Sequence, residues 1–407
     1  MTNRLDHILN DLNDVQKKAV CADGSPLLIV AGAGSGKTRI LTRRIAYLIE
    51  NSVPSYQILG ITFTNKAAEE MRRRVDQLVS QYVWIATFHA TCLQILRIDG
   101  EKIGLRKNFS IYDETDQLVL IKECMKDLEI NEKQINPKGI REMIQRSKDD
   151  LLGPEQIESA ARDYFEEVVA KVYHLYEKKL TALNGCDFGD LILKTVVLFK
   201  ENPQVLSSWQ DRFQHILIDE YQDTNRAQYA FVSQLALRDQ RITIVGDPDQ
   251  SIYAWRGADI QNILRFEQDY SSYRILKLEQ NYRSTKTILE AANSLIRFNA
   301  ERKPKNLWTL NDEGEKISLY EACDEKEEAN YIVQKVKEYQ LAGKPLTDMV
   351  IFYRVHSQSR IFEDVLRHHK ILYKIVGGIR FYDRREIKDL IAYLKVIAQP
   401  QDSLSLK

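Results

Sequence analysis

The chain is 407 residues long, 44% hydrophobic, with 58 basic side chains balancing 58 acidic ones. That length provides for two or three domains with cores of their own, and the neutral balance excludes an overall polycation, so any track for nucleic acid has to be local. Cys21, Cys92, Cys124, Cys186 and Cys323 are scattered with no C-x-x-C pair, the N-terminus is polar, and no apolar run reaches bilayer length; this argues against a disulfide or zinc scaffold and against a membrane-crossing helix, and the expected location is the cytoplasm.

Asn13 is placed to cap a short helix holding Gln16, Ala19 and Val20. The amide of Gln16 offers a donor and an acceptor, which suits it to read an adenine edge or to stay solvated on the helix. Leu27-Leu28-Ile29-Val30 predicts a strand buried on both faces. It runs into Ala31-Gly32-Ala33-Gly34-Ser35-Gly36-Lys37-Thr38 and then a helix with Ile40, Leu41, Ile45, Leu48 and Ile49 at helical spacing. Strand, glycine-rich turn and helix with a Lys-Thr ending form a P-loop, although Ala31 stands where the first glycine is usual. Gly32, Gly34 and Gly36 let backbone N–H groups point at phosphate oxygens, and the helix N-terminus adds positive charge there. Lys37 then reaches the β- and γ-phosphates while the Thr38 hydroxyl serves Mg²⁺, so ATP and Mg²⁺ are the expected ligands.

A second strand is expected over 58–63 and a third over 82–87, ending at Phe88 and His89. Ligands of an open parallel sheet bind at the carboxyl ends of its strands. Phe63 there could stack on a base or, like Phe88, fill the core. Residues 109–200 carry charged helical patterns and no convincing strand, which reads as an α-helical insertion. The sheet resumes at His215-Ile216-Leu217-Ile218 and ends in Asp219-Glu220, a Walker B element. Asp219 suits a water on Mg²⁺, and Glu220 suits deprotonation of an attacking water. After a strand over 241–245, Gln250 is suited to sense a γ-phosphate, while Tyr253, Trp255 and Arg256 are suited to bases and phosphates. A last strand over 275–278 leads to Tyr282, a face for adenine, and Arg283, whose permanent planar charge suits phosphoryl transfer. Beyond it a second α/β unit is expected, with strands over 317–320, 349–353 and 373–376 and helices over 325–341, 359–368 and 384–398.

Taken in order, LNDVQ, AGAGSGKT, ITFTNKAAEEM, TFHATC, LIDEYQDTN, VGDPDQSIYAWRGAD, EQNYRST and VGGIRFYDRREIKD make the whole chain resemble the UvrD/Rep/PcrA group of superfamily 1A DNA helicases. The resemblance implies an α/β fold: a RecA-like P-loop parallel-sheet domain (1–108 and 201–279), an α-helical insertion (109–200) and the first part of a second RecA-like domain (280–398). It implies ATP-driven 3′→5′ translocation on single-stranded DNA and unwinding at single-strand/duplex junctions, in repair and replication, by a chain that is a monomer in isolation. By position, Gln16 would read adenine with Arg39 and Tyr282 flanking the base. Lys37 and Thr38 would serve phosphates and Mg²⁺, Asp219 the metal, Glu220 the water, and Gln250 and Arg283 the γ-phosphate. Phe63, His89, Tyr253, Trp255 and Arg256 would face DNA, with Arg354 and Arg360 adding contacts from the second domain. Val355-His356 stands where relatives often have Thr-Asn.

Relatives continue through a further insertion, which 399–407 would begin, and then supply a second γ-phosphate arginine. Such a finger is worth about three to five orders of magnitude in rate. The chain is therefore expected to be a truncated form that binds ATP and hydrolyses it poorly. Alternatives are a nucleotide-gated single-stranded-DNA-binding module without motor activity, a small-molecule P-loop kinase with no use for an exposed Tyr253-Ala254-Trp255-Arg256, and a helicase–nuclease subunit.

Overall fold

In the computed structural model, the described residues are 2–270, 272–299, 302–376 and the single positions 389, 390, 393, 394 and 397. The body of the last motif (377–388) and the rest of the helix expected over 384–398 lie outside the described residues.

The strands are β1 (Leu27–Ala31), β2 (Ile58–Thr62), β3 (Trp84–Thr87), β4 (Ser110–Tyr112), β5 (Gly185–Asp187), β6 (His215–Ile218), β7 (Ile242–Gly246) and β8 (Arg274–Leu278). A six-stranded sheet runs in the order β3-β2-β6-β7-β1-β8, and all of its neighbouring pairs are parallel. Parallel strands need crossovers, and helices supply them on both faces. β1 shows why its apolar run contains no polar break: Leu28 and Val30 join the core on one face, and Leu27 and Ile29 join the core on the other. With β1 between β7 and β8, the loops after all three emerge at one rim. The helices start where short polar side chains cap them: Asn13 with Gln16, Thr64, Thr87, Asp187 and Asn225 each accept from a first-turn N–H.

His215 begins β6, almost wholly buried. Burial, with Arg241 and Arg44 nearby, pushes its pKa down to about 4. An unfolded chain takes up this proton near pH 6.5, so the unfolded state binds more protons between about 6.5 and 4. Stability is expected to fall as pH drops through that window, and H215Q should flatten that part of a urea-melt pH series.

Residues 109–200 form a helical layer with its own core, from Tyr112 to Leu180. The expectation of no strand there is corrected: β4 and β5 pair in parallel, Ser110 opposite Gly185 and Tyr112 opposite Asp187. Each is three residues long, too short for any periodicity to register. Within the layer, the helices up to Ala182 are tied to the helix Phe188–Glu201 by a buried charge cage. Lys148, in the helix Pro137–Asp149, has no exposed side-chain surface, and its Nζ lies 2.5 Å from Glu177, 2.7 Å from Asp187 and 2.8 Å from Asp190. Burial alone would lower its pKa, but Asp187, Asp190 and Glu177 outweigh that and raise it well above the ordinary lysine value. Tyr176 Oη donates to Asp187 at 2.9 Å.

The first compact unit runs to Gly314, past the expected boundary at 279. Residues beyond 279 are held by the P-loop itself: Tyr282 N donates to Gly34 O, and Asn281 Nδ2 donates to Ala33 O. The second unit begins at Glu315. Its helices Glu325–Leu341 and Ser359–His368 pack through Ala329, Val333, Phe362, Val365 and Leu366, as their spacing predicts. The three runs read as strands are corrected: 317–320, 349–353 and 373–376 carry no ladder among the described residues. Leu319 is 97% and Phe352 88% exposed. An apolar run specifies a buried strand only where neighbours pair its edges and cover its faces.

Candidate functional site

The first unit brings the predicted residues of its strand ends together. Behind β1, Gly32 N donates to Leu278 O of β8, and Ser35 closes the turn by donating Oγ–H to Gly32 O at 2.7 Å. Gly36 caps the helix Lys37–Glu50 with φ +90°, and Gly34 has φ +68°, backbone that L side chains resist. A Cβ on Gly34 would meet Asn281 Nδ2 at 2.5 Å, so this turn requires glycine on space as well. Ala31 is a fully buried strand residue, which accounts for alanine at the pattern's first position.

Lys37 Nζ donates to Glu220 Oε2 at 2.6 Å, and lies 3.5 Å from Gln250 Oε1. Thr38 Oγ1 donates to Asp219 Oδ2 at 3.1 Å. Burial first, and then the Glu220 carboxylate, push the Asp219 pKa up to about 6 against the pull of Lys37. Glu220 sits at φ +52°, a left-handed conformation, where β6 gives way to the turn Tyr221–Asp223. Gln222 and Asp247 are functional candidates that sequence reasoning missed. Gln222 Nε2 donates to Glu220 Oε2 at 2.9 Å, and its Oε1 accepts from Asp247 N at 2.9 Å. Asp247 Oδ2 accepts from Gln250 Nε2. The result is a closed hydrogen-bonded ring, Lys37–Glu220–Gln222–Asp247–Gln250. Both missed residues lie inside motifs already quoted, so proximity to Glu220 and Gln250 was the available signal.

Gln16 is buried, and its amide is committed within the chain: Oε1 accepts from Asn13 N, and Nε2 donates to Ser35 O at 3.0 Å. Asn13 Nδ2 donates to Tyr282 Oη at 2.8 Å, which ties the half-exposed Tyr282 ring to the same corner. Arg39 lies 3.8 Å from Asp11 on the first turn of the P-loop helix. Arg283 follows Tyr282 directly beside the P-loop, its Cβ 2.9 Å from the Cβ position of Gly34, and its side chain is exposed.

A second group lies on the loops after β2 and β7. Phe63 stacks on Tyr253 with centroids 5.5 Å apart at 22°, and Tyr253 meets Trp255 at 6.4 Å. The Arg256 guanidinium stands 4.7 Å over Trp255 and 5.5 Å from Tyr253. Trp255 is 62% exposed, far too open for a core residue. Phe88, by contrast, is core. His89 meets Phe188 edge-on at 6.1 Å, and burial lowers its pKa, which favours neutral imidazole. Arg354 and Arg360 belong to the second unit, both exposed, where Gln358 Oε1 accepts from Arg354 N.

Chemically, the first group offers a cation, a hydroxyl–carboxylate pair and a carboxylate base around one turn of backbone N–H donors. The second group offers a cationic aromatic shelf, joined to the first by the short stretch from Gln250 to Tyr253.

Two family models match this chain. The model of the UvrD/REP helicase N-terminal domain matches residues 12–271, and that of the UvrD-like helicase C-terminal domain matches residues 276–407. The ATP-dependent DNA helicases PcrA of Staphylococcus epidermidis (strain ATCC 35984) and of Staphylococcus aureus (strain Mu50) are each 49% identical to it over 404 residues, 98% of this chain and 55% of theirs. The chain thus spans about half the length of the curated relatives it matches.

Proposed function

Since the chain belongs to the UvrD/REP helicase family, we propose that it carries the nucleotide site and part of the DNA track of an ATP-dependent 3′–5′ DNA helicase and single-stranded-DNA translocase of repair and replication. The observation that carries this reading is the ring around Lys37, closed by residues from β1, β6 and β7 and continued into an exposed aromatic shelf. The domain roles follow: 1–108 and 201–279 form the motor core, 109–200 its helical insertion, and 280–398 the start of a second RecA-like domain, whose first stretch to Gly314 belongs to the first compact unit. Single-stranded DNA and single-strand/duplex junctions are the partners, with the chain a cytoplasmic monomer; none of its described helices is long and apolar enough to cross a membrane.

In this reading the loop 31–36 and Lys37 grip the phosphates, Gln16 positions the loop beside adenine, and Arg39 and Tyr282 flank the base. Thr38 Oγ1 and Asp219 are hard oxygen donors 3.1 Å apart, a set that fits Mg²⁺ and would hold it. That ion would supply charge neutralisation for the phosphates. Glu220 takes the proton of the attacking water, and a triphosphate that draws Lys37 away from Glu220 frees this carboxylate to do so. Gln250 and Arg283 meet the γ-phosphate, Arg283 with the planar charge that suits its transfer. Phe63, His89, Tyr253, Trp255 and Arg256 stack on bases and bind phosphates, with Arg354 and Arg360 adding contacts.

The test is labelled oligo-dT binding by this chain with ATP analogue, ADP or neither. The expected result is an affinity that changes with nucleotide. Stacking is worth about 1–3 kcal/mol per base, so W255A should weaken DNA binding about tenfold or more and leave ATP-analogue binding unchanged. A chain that binds ATP and ignores DNA in every nucleotide state would refute the helicase reading in favour of a P-loop kinase.

A further inference from the structure

Lys305 is among the most buried charged groups of the first unit, 5% exposed. Its Nζ donates to Asp247 Oδ1 at 2.5 Å and also to Asp249 Oδ2. Arg302 reaches the same Asp249 oxygen at 3.0 Å. Asp247 is itself 2% exposed and belongs to the ring around Lys37: Oδ1 also accepts from Asp249 N at 3.0 Å, while Oδ2 accepts from Gln250 Nε2. A carboxylate this deep in the protein needs a cation beside it. Lys305 supplies that cation from 58 positions downstream.

The chain around Lys305 is held where it can do so. Trp308 N donates to Glu279 O and its carbonyl accepts from Asn281 N, while Asn306 N donates to Glu279 Oε1. The Leu307 side chain covers Gly32, occupying the place a Cβ there would take. This segment therefore touches both the P-loop and the loop that carries Gln250.

We propose that Lys305 is a positioning residue for the γ-phosphate end of the nucleotide site: by pinning Asp247 it fixes the Gln250 amide, with Nε2 toward Asp247 and Oε1 toward Lys37. An amide has two ends of opposite character, and only an oriented one distinguishes a terminal phosphate from its absence. Lys305 thus controls how strongly the site prefers a nucleoside triphosphate over a diphosphate, without touching either. The inference rests on the nucleotide site proposed above.

The experiment is equilibrium binding of fluorescent ATP and ADP analogues to the full chain, unmodified and as K305M, K305R and K305M/D247N. K305M is expected to lose about tenfold in ATP-over-ADP preference, the size of one charge-assisted hydrogen bond. Its ADP affinity should not change, because only the γ-phosphate meets Gln250. K305R should recover most of the preference. Should K305M fail to fold, K305M/D247N leaves Asp247 no orphan charge and carries the same expected loss. A folded variant that keeps the full preference, or that loses ATP and ADP equally, overturns the proposal. An unmodified chain that binds no nucleotide overturns the function itself, a separate and visible failure.

Discussion

K148M is expected to destabilise the protein by about 3–5 kcal/mol, the cost of breaking a buried ion cluster by removing one partner. Three carboxylates converge on Lys148 Nζ within 2.8 Å, and the nearest remaining cation, Lys194, lies 3.4 Å from Glu177 and 3.6 Å from Asp190. Methionine fills much of the same volume, so the loss reports charge and not a cavity. The cage holds Asp187, which caps the helix Phe188–Glu201, and that helix packs into the sheet's core through Leu191, Ile192 and Phe199. The damage should therefore spread beyond the insertion. Urea melts followed by helix circular dichroism should show an earlier midpoint; a midpoint shared with the unmodified chain would contradict the account.

E220Q is expected to lower single-turnover ATP hydrolysis by about two to four orders of magnitude, the usual contribution of a positioned general base. The amide keeps the side chain's size and one acceptor, so Gln222 or Lys37 can still be bonded, but it takes no proton from water. ATP binding should persist, because Lys37 no longer pairs with a carboxylate at 2.6 Å before it meets phosphate. Long single-turnover time courses, suited to the slow hydrolysis expected of this chain, give the rate and analogue fluorescence the affinity. A variant that hydrolyses at the unmodified rate would remove Glu220 from the chemistry.

The sheet was legible because its four central strands are mostly apolar runs between turn residues, buried on both faces, while the edge strands β3 and β8 are only partly buried. The convergence of the P-loop, Asp219, Glu220 and Gln250 was legible because each follows the end of a strand of one parallel sheet, so all four emerge at the same rim. β4 and β5 were not, because three residues hold no pattern. The strands expected over 317–376 were misread for the opposite reason: Leu319 and Phe352 have the composition of a buried strand, and composition does not report whether a partner is paired. Lys305 escaped because its meaning depends on Asp247, and one buried cation in a basic stretch looks like any solvated lysine until the chain is folded. Gln16 shows the converse case: the residue was found, while the commitment of its amide to Ser35 was not.

Glu220 holds a backbone twist, φ +52°, that any residue with a Cβ resists by about 1 kcal/mol, and that glycine would adopt freely. The point of greatest conformational discomfort in the turn after β6 thus coincides with the group expected to handle the proton. Breeding this chain for heat tolerance alone would favour glycine at that position, and would discard the carboxylate along with the strain. Any search for hardier variants therefore has to screen for turnover in parallel.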